Sequence, residues 1–298
     1  ISGRRRRHRA YCHGVTTVPC ARGTNQPTQP ERQPIIQPYH CNENRKNLMS
    51  QAPASKLPIL QRDHKSGMGR IKYLSKKPER MDQERGREYF RIDVHADGTR
   101  TCVAHTEIDD RPSVMRDAIY SLDKNWMPTD CAMRLSVDSK FMGSGWFRFH
   151  PAYAECETWT ALEGRISQRM DLAEPLVTFQ NHAIACDAWH LRLIDRQQPG
   201  KVQRVKQILL SSPDHRGATG PLLYSIGLSL VYVGPEKVTV EAGTFDAWHY
   251  QFVTNPELPQ EHPPYDVWCT ADGEFLFLKG GVAGYMQTHY ELAELTRS

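Results

Sequence analysis

The most site-like segment of the sequence is Ser211-Ser212-Pro213-Asp214-His215-Arg216-Gly217. It is polar and turn-forming, and it sits between two apolar runs, residues 205–210 and 222–233. Functional side chains favour loops held by a rigid scaffold. His215 has the right chemistry for a general acid or base, because an imidazole titrates near neutral pH. Arg216 can clamp a carboxylate or a phosphate. Asp214 can orient a histidine, although adjacent residues in an extended loop usually point apart. The competing reading is a surface turn whose Asp and Ser satisfy local backbone groups.

A second group is Glu261-His262-Pro263-Pro264-Tyr265-Asp266. His262 and Tyr265 can face a cavity mouth, or the prolines can simply stiffen a loop. Six tryptophans follow residue 125. Most Trp side chains fill cores. In a strand-rich body, however, Trp248 and Trp268, with Tyr224 and Tyr265, can also line a cavity for an apolar or aromatic molecule.

Other chemistries find less support. No two of the nine histidines after residue 67 fall in HExxH spacing, and no Cys pair has zinc-ribbon spacing, so no metal is expected. Gly143-Ser144-Gly145 is not a G-x-S-x-G elbow and lies among strand-like residues, where glycines mark bulges or bends. Neither a Walker loop nor a GxGxxG after a strand is present, and no cofactor is expected.

The elements that must hold these residues are strands. From Glu88 onward the apolar period is two: Phe90, Ile92 and Val94 alternate with charged residues. Ala96-Asp97-Gly98-Thr99 and Ala271-Asp272-Gly273 read as hairpin turns, since Asp-Gly supplies positive φ. Leu222, Tyr224, Ile226, Leu228, Leu230 and Tyr232 give one strand a continuous apolar face, and Gly234-Pro235 is expected to end it. Further strands are read over residues 114–122, 131–137, 141–150, 155–162, 166–172, 246–253 and 285–295. Ile184, Ala188, Leu191 and Ile194 approximate a helix face, predicting one helix over residues 182–194. Asp187-Ala188-Trp189-His190 recurs as Asp246-Ala247-Trp248-His249, but the flanks differ, so coincidence is the better reading. The fold class is all-β: a single antiparallel barrel or half-barrel of about eleven or twelve strands with one packed helix.

Charge divides the chain. Residues 1–67 carry 12 Lys+Arg against 3 Asp+Glu, and residues 68–298 carry 26 against 31. The basic character therefore belongs to a Pro-, Gln- and Arg-rich leader over residues 1–67, expected to be disordered. The domain over residues 68–298 is acidic, which removes nucleic acid as the default partner. No stretch approaches the roughly 18 apolar residues of a membrane span. The basic start, Arg4 to Arg7 and Arg9, lacks the apolar segment of a secretory signal. Five scattered cysteines in the domain fit a reducing compartment, so a cytoplasmic location is expected.

The C-terminal third resembles a family of uncharacterised bacterial domains of unknown function. The resemblance rests on Val240-Glu241-Ala242-Gly243-Thr244-Phe245-Asp246-Ala247-Trp248, Tyr265-Asp266-Val267-Trp268, Ala271-Asp272-Gly273 and Tyr290-Glu291-Leu292. It implies a curved, incompletely closed β-barrel, similar in shape to bacterial lipoprotein carriers that hold acyl chains. It supplies no active-site residue.

Two functions follow from these readings. One is binding of a hydrophobic or aromatic small molecule in the β cavity, with aromatic residues supplying affinity, His215 and Arg216 giving polar recognition at its rim, and His262 among the ligand-binding residues. The other is a cofactor-independent lyase, isomerase or hydrolase acting on such a molecule. There His215 moves a proton, Asp214 orients it, and Arg216 and Tyr265 stabilise negative charge. A structure with no cavity of roughly 300 Å³ or more would count against both.

Overall fold

The computed structural model describes residues 63–298 except 254–257. The leader therefore lies outside the described residues up to residue 62. Residues 65–67, grouped with it on composition, instead open the first strand.

Fifteen strands form one sheet. Its first half is β1 (Lys65–Ser75), β2 (Glu84–Val94), β3 (Arg100–Ile108), β4 (Val114–Leu122), β5 (Pro128–Val137), β6 (Lys140–Phe149), β7 (Tyr153–Thr160) and β8 (Gly164–Asp171). The second half is β9 (Phe179–Gln180), β10 (Val202–Leu210), β11 (Tyr224–Val240), β12 (Gly243–Phe252), β13 (Tyr265–Thr270), β14 (Phe277–Val282) and β15 (Thr288–Arg297). The spatial order runs from β8 down to β1, then from β15 down to β9. Only the two-residue β9 pairs in parallel, with β10. The count exceeds the expected eleven or twelve because β1 opens within the segment grouped with the leader and the two-residue β9 is too short to show a period.

Alternation decides the strand faces. In β4, Val114, Arg116, Ala118, Tyr120 and Leu122 are buried while the intervening Met115, Asp117 and Ile119 are exposed. The two Asp-Gly turns form as read. Gly98 and Gly273 adopt φ of 86° and 85°, and Asp97 and Asp272 accept hydrogen bonds from the amides of Thr99 (2.9 Å) and Glu274 (3.0 Å). Gly234-Pro235 does not end its strand. β11 continues to Val240 past a register shift between Tyr232 and Gly234. β10 pairs no further than Val231. Beyond that point β11 has an open side, so the missing proline N–H breaks no ladder bond.

The sheet must curl. Laid flat, fifteen strands would set β8 and β9 about 65 Å apart. The chain from Asp171 to Phe179 reaches at most about 30 Å. An incompletely closed barrel results. Close packing joins the halves inside it: a Cβ on Gly143 of β6 would lie 2.5 Å from Pro221, and one on Gly220 would lie 2.6 Å from Thr160 of β7.

The expected helix is shorter than the period suggested. α1 covers Ile184–Asp187, and the chain then tightens into a 3₁₀ turn over Ala188–Leu193. Its apolar face packs inward as predicted. Ala188, Leu191 and Ile194 are buried, and Trp189 stands against Tyr120 and Trp126 at ring separations of 5.8 and 6.0 Å. The two Asp-Ala-Trp-His copies differ completely in setting, one in this plug and one on β12.

Candidate functional site

Two charged residues on the inward register of the first half hold the plug in place. Glu88 of β2 is fully buried. Its Oε2 accepts from Tyr73 Oη (2.9 Å), Thr106 Oγ1 (2.8 Å) and the Ile184 amide (3.0 Å), and its Oε1 accepts from the Ala185 amide (2.8 Å). The opening amides of α1 have no partner within the helix, so a carboxylate there meets an otherwise unmet need. Arg116 of β4 donates to the backbone carbonyls of Arg216 (2.8 Å) and His182. Gly217 permits that approach. Its φ is 59°, and a Cβ would lie 2.6 Å from Arg116 Nη1 and 2.8 Å from His182 Cγ.

Between the plug and β10–β14 lies a cleft of about 130 Å³. Ile208, Leu210, Ile226, Leu228, Phe252 and Val282 make its apolar wall. Its polar side is built from the plug. Asp187 is buried and accepts from Gln180 Nε2 (2.8 Å) and Tyr265 Oη (3.1 Å). Burial pushes its carboxyl up to about 7, against the two hydrogen bonds and the pull of Arg116. His190 is also buried. Its Nδ1 lies 2.7 Å from Thr178 Oγ1, while Nε2 has no partner among the described residues. Burial and then Arg192 lower its imidazole to about 3, so it is neutral at physiological pH. His182, at φ 64°, is lowered to about 3 by burial and by Arg116.

The residues singled out from sequence divide into two sets. Asp214, His215, His262 and Tyr265 all line this cleft. His215 Nδ1 lies 3.6 Å from Asp214 Oδ1, and its ring is 6.2 Å from that of His262. Burial lowers both imidazoles. Asp214 also organises the turn, accepting from the amides of Arg216 (3.2 Å) and Ala218 (2.8 Å), as the surface-turn reading expects.

Arg216 lies instead in an adjoining cleft, donating to the carbonyls of Asp110 (3.0 Å) and Pro112 (2.7 Å). Trp248, Trp268 and Tyr224 are not part of the wall. Trp248 packs on Phe275 under the Arg196 guanidinium, 3.9 Å from its ring. Trp268 stacks on His249 at 4.0 Å with Lys279 over it. Both are half-buried and bear on neighbours away from the plug.

Sequence reasoning missed Glu88, Arg116, Asp187 and His190 as site residues. For the first two a signal existed. Glu88 is in phase with Phe90 on its strand, and Arg116 with Ala118 and Tyr120. A charge on the apolar phase requires buried partners. Among the described residues no group of three or more His, Cys, Asp or Glu is placed to hold a metal ion. Cys102, Cys131, Cys156, Cys186 and Cys269 are buried and free. No described helix is long and apolar enough to cross a membrane. A hollow of about 600 Å³ lies elsewhere, between β1, β2, the β13–β14 turn and Trp189 of the plug. Its Arg100 is engaged with Trp126, and its Arg297 with Asp272.

No family model and no curated protein matches this sequence. Solved structures do. One is a β-barrel-like protein of domain of unknown function DUF1849 from Brucella abortus, 10% identical, covering 80% of this chain and 99% of that one with a TM-score of 0.49. Another is a protein with a YmcC-like fold from Bacteroides fragilis, 8% identical, covering 79% of this chain and 96% of that one with a TM-score of 0.27.

Proposed function

We propose that the curled sheet binds a small hydrophobic or aromatic molecule in the cleft beside the plug. The observation that carries this reading is a concave apolar wall lined in part by His190, whose buried Nε2 has no partner among the described residues. Unsatisfied buried polar atoms are uncommon and costly, and a ligand group bonded there would remove the cost. The size limits the ligand. At about 130 Å³ the cleft falls short of the roughly 300 Å³ expected for either ligand reading, which counts against a drug-sized ligand, and is close to the roughly 150 Å³ that admits benzene. A single ring or short branched chain fits, with one hydrogen-bonding group toward His190, Asp187 and Tyr265. The free cysteines support a reducing, cytoplasmic setting.

Native mass spectrometry of the purified protein tests the reading, together with thermal shifts in phenol and toluene. A bound mass, or saturable stabilisation that Leu228→Trp abolishes, is expected. The reading falls if the protein carries nothing and neither probe shifts the melt.

Asp187 favours a second reading, proton transfer on the bound molecule. A carboxyl that titrates near 7 beside a tyrosine suits general acid–base work. His215, neutral and on the same cleft, is the other proton carrier in this reading. If it holds, Asp187→Asn keeps the ligand but stops its conversion.

A further inference from the structure

Arg216 belongs to a second cleft, of about 180 Å³, on the far side of His182 and His215. Lys77, Arg80, Arg85, Arg116 and Arg216 line it, and Asp110 is the sole carboxylate on its wall. We propose that this cleft is a binding site for a compact anion, a carboxylate or a phosphate group, held by Arg116, Arg216 and Arg85. The proposal does not depend on occupancy of the apolar cleft.

The charge balance carries the argument. Asp110 is shared by two guanidiniums, accepting from Arg80 Nη1 (2.6 Å) and from Arg85. Arg85 also donates to Thr288 Oγ1 (2.9 Å). Arg116 and Arg216 bond only to backbone carbonyls. Carbonyls satisfy donors but cancel no charge. The imidazoles that share the wall, His182 and His215, are held neutral by burial and so add no positive charge. Among the described residues of this half-open cleft, therefore, positive charges outnumber negative ones on the wall, and at the buried Arg116 desolvation makes that excess expensive.

A second observation points at a ligand. Arg116 is 2% exposed, and its Nε has no hydrogen-bond partner; the Nε of Arg216 has none either. Guanidinium groups present a planar fork that fits carboxylate and phosphate oxygens. Burial lowers Arg216 and the nearby Arg85 cation lowers it further, against the pull of Asp214, Asp110 and Asp138, so its net environment disfavours the charge that an anion would stabilise. Glu88, Asp187 and Asp214 also act on Arg116, and their pull is felt through its buried guanidinium. None of the three is part of this cleft's wall.

The test is thermal denaturation of the full chain in inorganic phosphate and in acetate. Ionic strength is held constant with sodium chloride. Saturable stabilisation by at least one of the two anions, absent in chloride alone, is expected. Saturation by phosphate alone identifies a phosphate group as the natural ligand chemistry, and by acetate alone a carboxylate. Arg85→Gln should weaken the effect tenfold or more. Lys77→Gln, half-buried on the same wall, should weaken it a few-fold. Shifts that match chloride, or that survive Arg85→Gln undiminished, would overturn the proposal.

Discussion

The two halves of the sheet use the same alternation to different ends. β2 to β8 is a plain meander: each strand pairs with the next, turns are short, and one face of each strand is apolar. The half from β9 to β15 is interrupted. A helical plug precedes β10, and the loop between β10 and β11 folds inward across it. The interrupted half makes the apolar cleft, while the regular half makes wall and supplies most of the charged groups of the second cleft. Yet the regular half sends two charges inward, Glu88 and Arg116, and both end on backbone groups of the interrupted half. The wall is a receptor for the plug as well as a boundary.

Substitutions can break that division of labour. The largest effect is expected from Glu88→Ala, which strands two hydroxyls and two amides in the interior and should cost about 3–5 kcal/mol in urea denaturation. Glu88→Gln retains one acceptor oxygen and should cost clearly less.

Asp187 gives the next effect, and it depends on pH. Its folded carboxyl titrates near 7, above the unfolded value. Its contribution is therefore full below about pH 4 and is lost as pH rises through 7. Asp187→Asn should gain about 2–4 kcal/mol on wild type between pH 4 and pH 8. His182 and His190 act with the opposite sign. Their folded values near 3 are depressed, so their contribution is present above about 6.5 and lost as pH falls toward 3. Wild-type stability should therefore be greatest near pH 6.5, and Asp187→Asn should move that maximum upward.

Gly217→Ala combines positive φ with a clash against Arg116. It should cost about 2 kcal/mol in a thermal melt. Trp268→Ala should have the smallest effect on function: toluene binding unchanged, because its ring lies away from both clefts. A lost toluene response there would put part of the site on the wall and blur the comparison.

The regular half was legible because its physics is local. Val114–Leu122 is legible to the residue, and so is the Asp97-Gly98 turn, since period two and positive φ are written in neighbouring residues; the Asp272-Gly273 turn of the other half is legible for the same local reason. The loop at Asp214 and His215, with His262 and Tyr265, was legible as the polar interruption of apolar strands. Asp187 and His190 were not. They lie in a segment whose period pointed to a helix, and their value comes from what surrounds them in space. The clefts sit against the plug rather than filling the barrel, so the tryptophans, which alternation alone cannot place relative to a plug, were assigned to the wrong surface.

The seam where β1 joins β15 has a consequence for how this protein is made. Gly67 pairs with Arg297, and the Ser66 amide donates to the Ser298 carbonyl at 2.9 Å. A strand at the start of the sheet's sequence is thus flanked on one side by the last strand of that sheet to leave the ribosome. Until then β1 is a bare edge, with its ladder groups open to any passing chain. Nascent molecules are therefore most exposed to mispairing along Met68, Arg70 and Lys72. The two charges in that row are the kind that discourage a stray strand from docking.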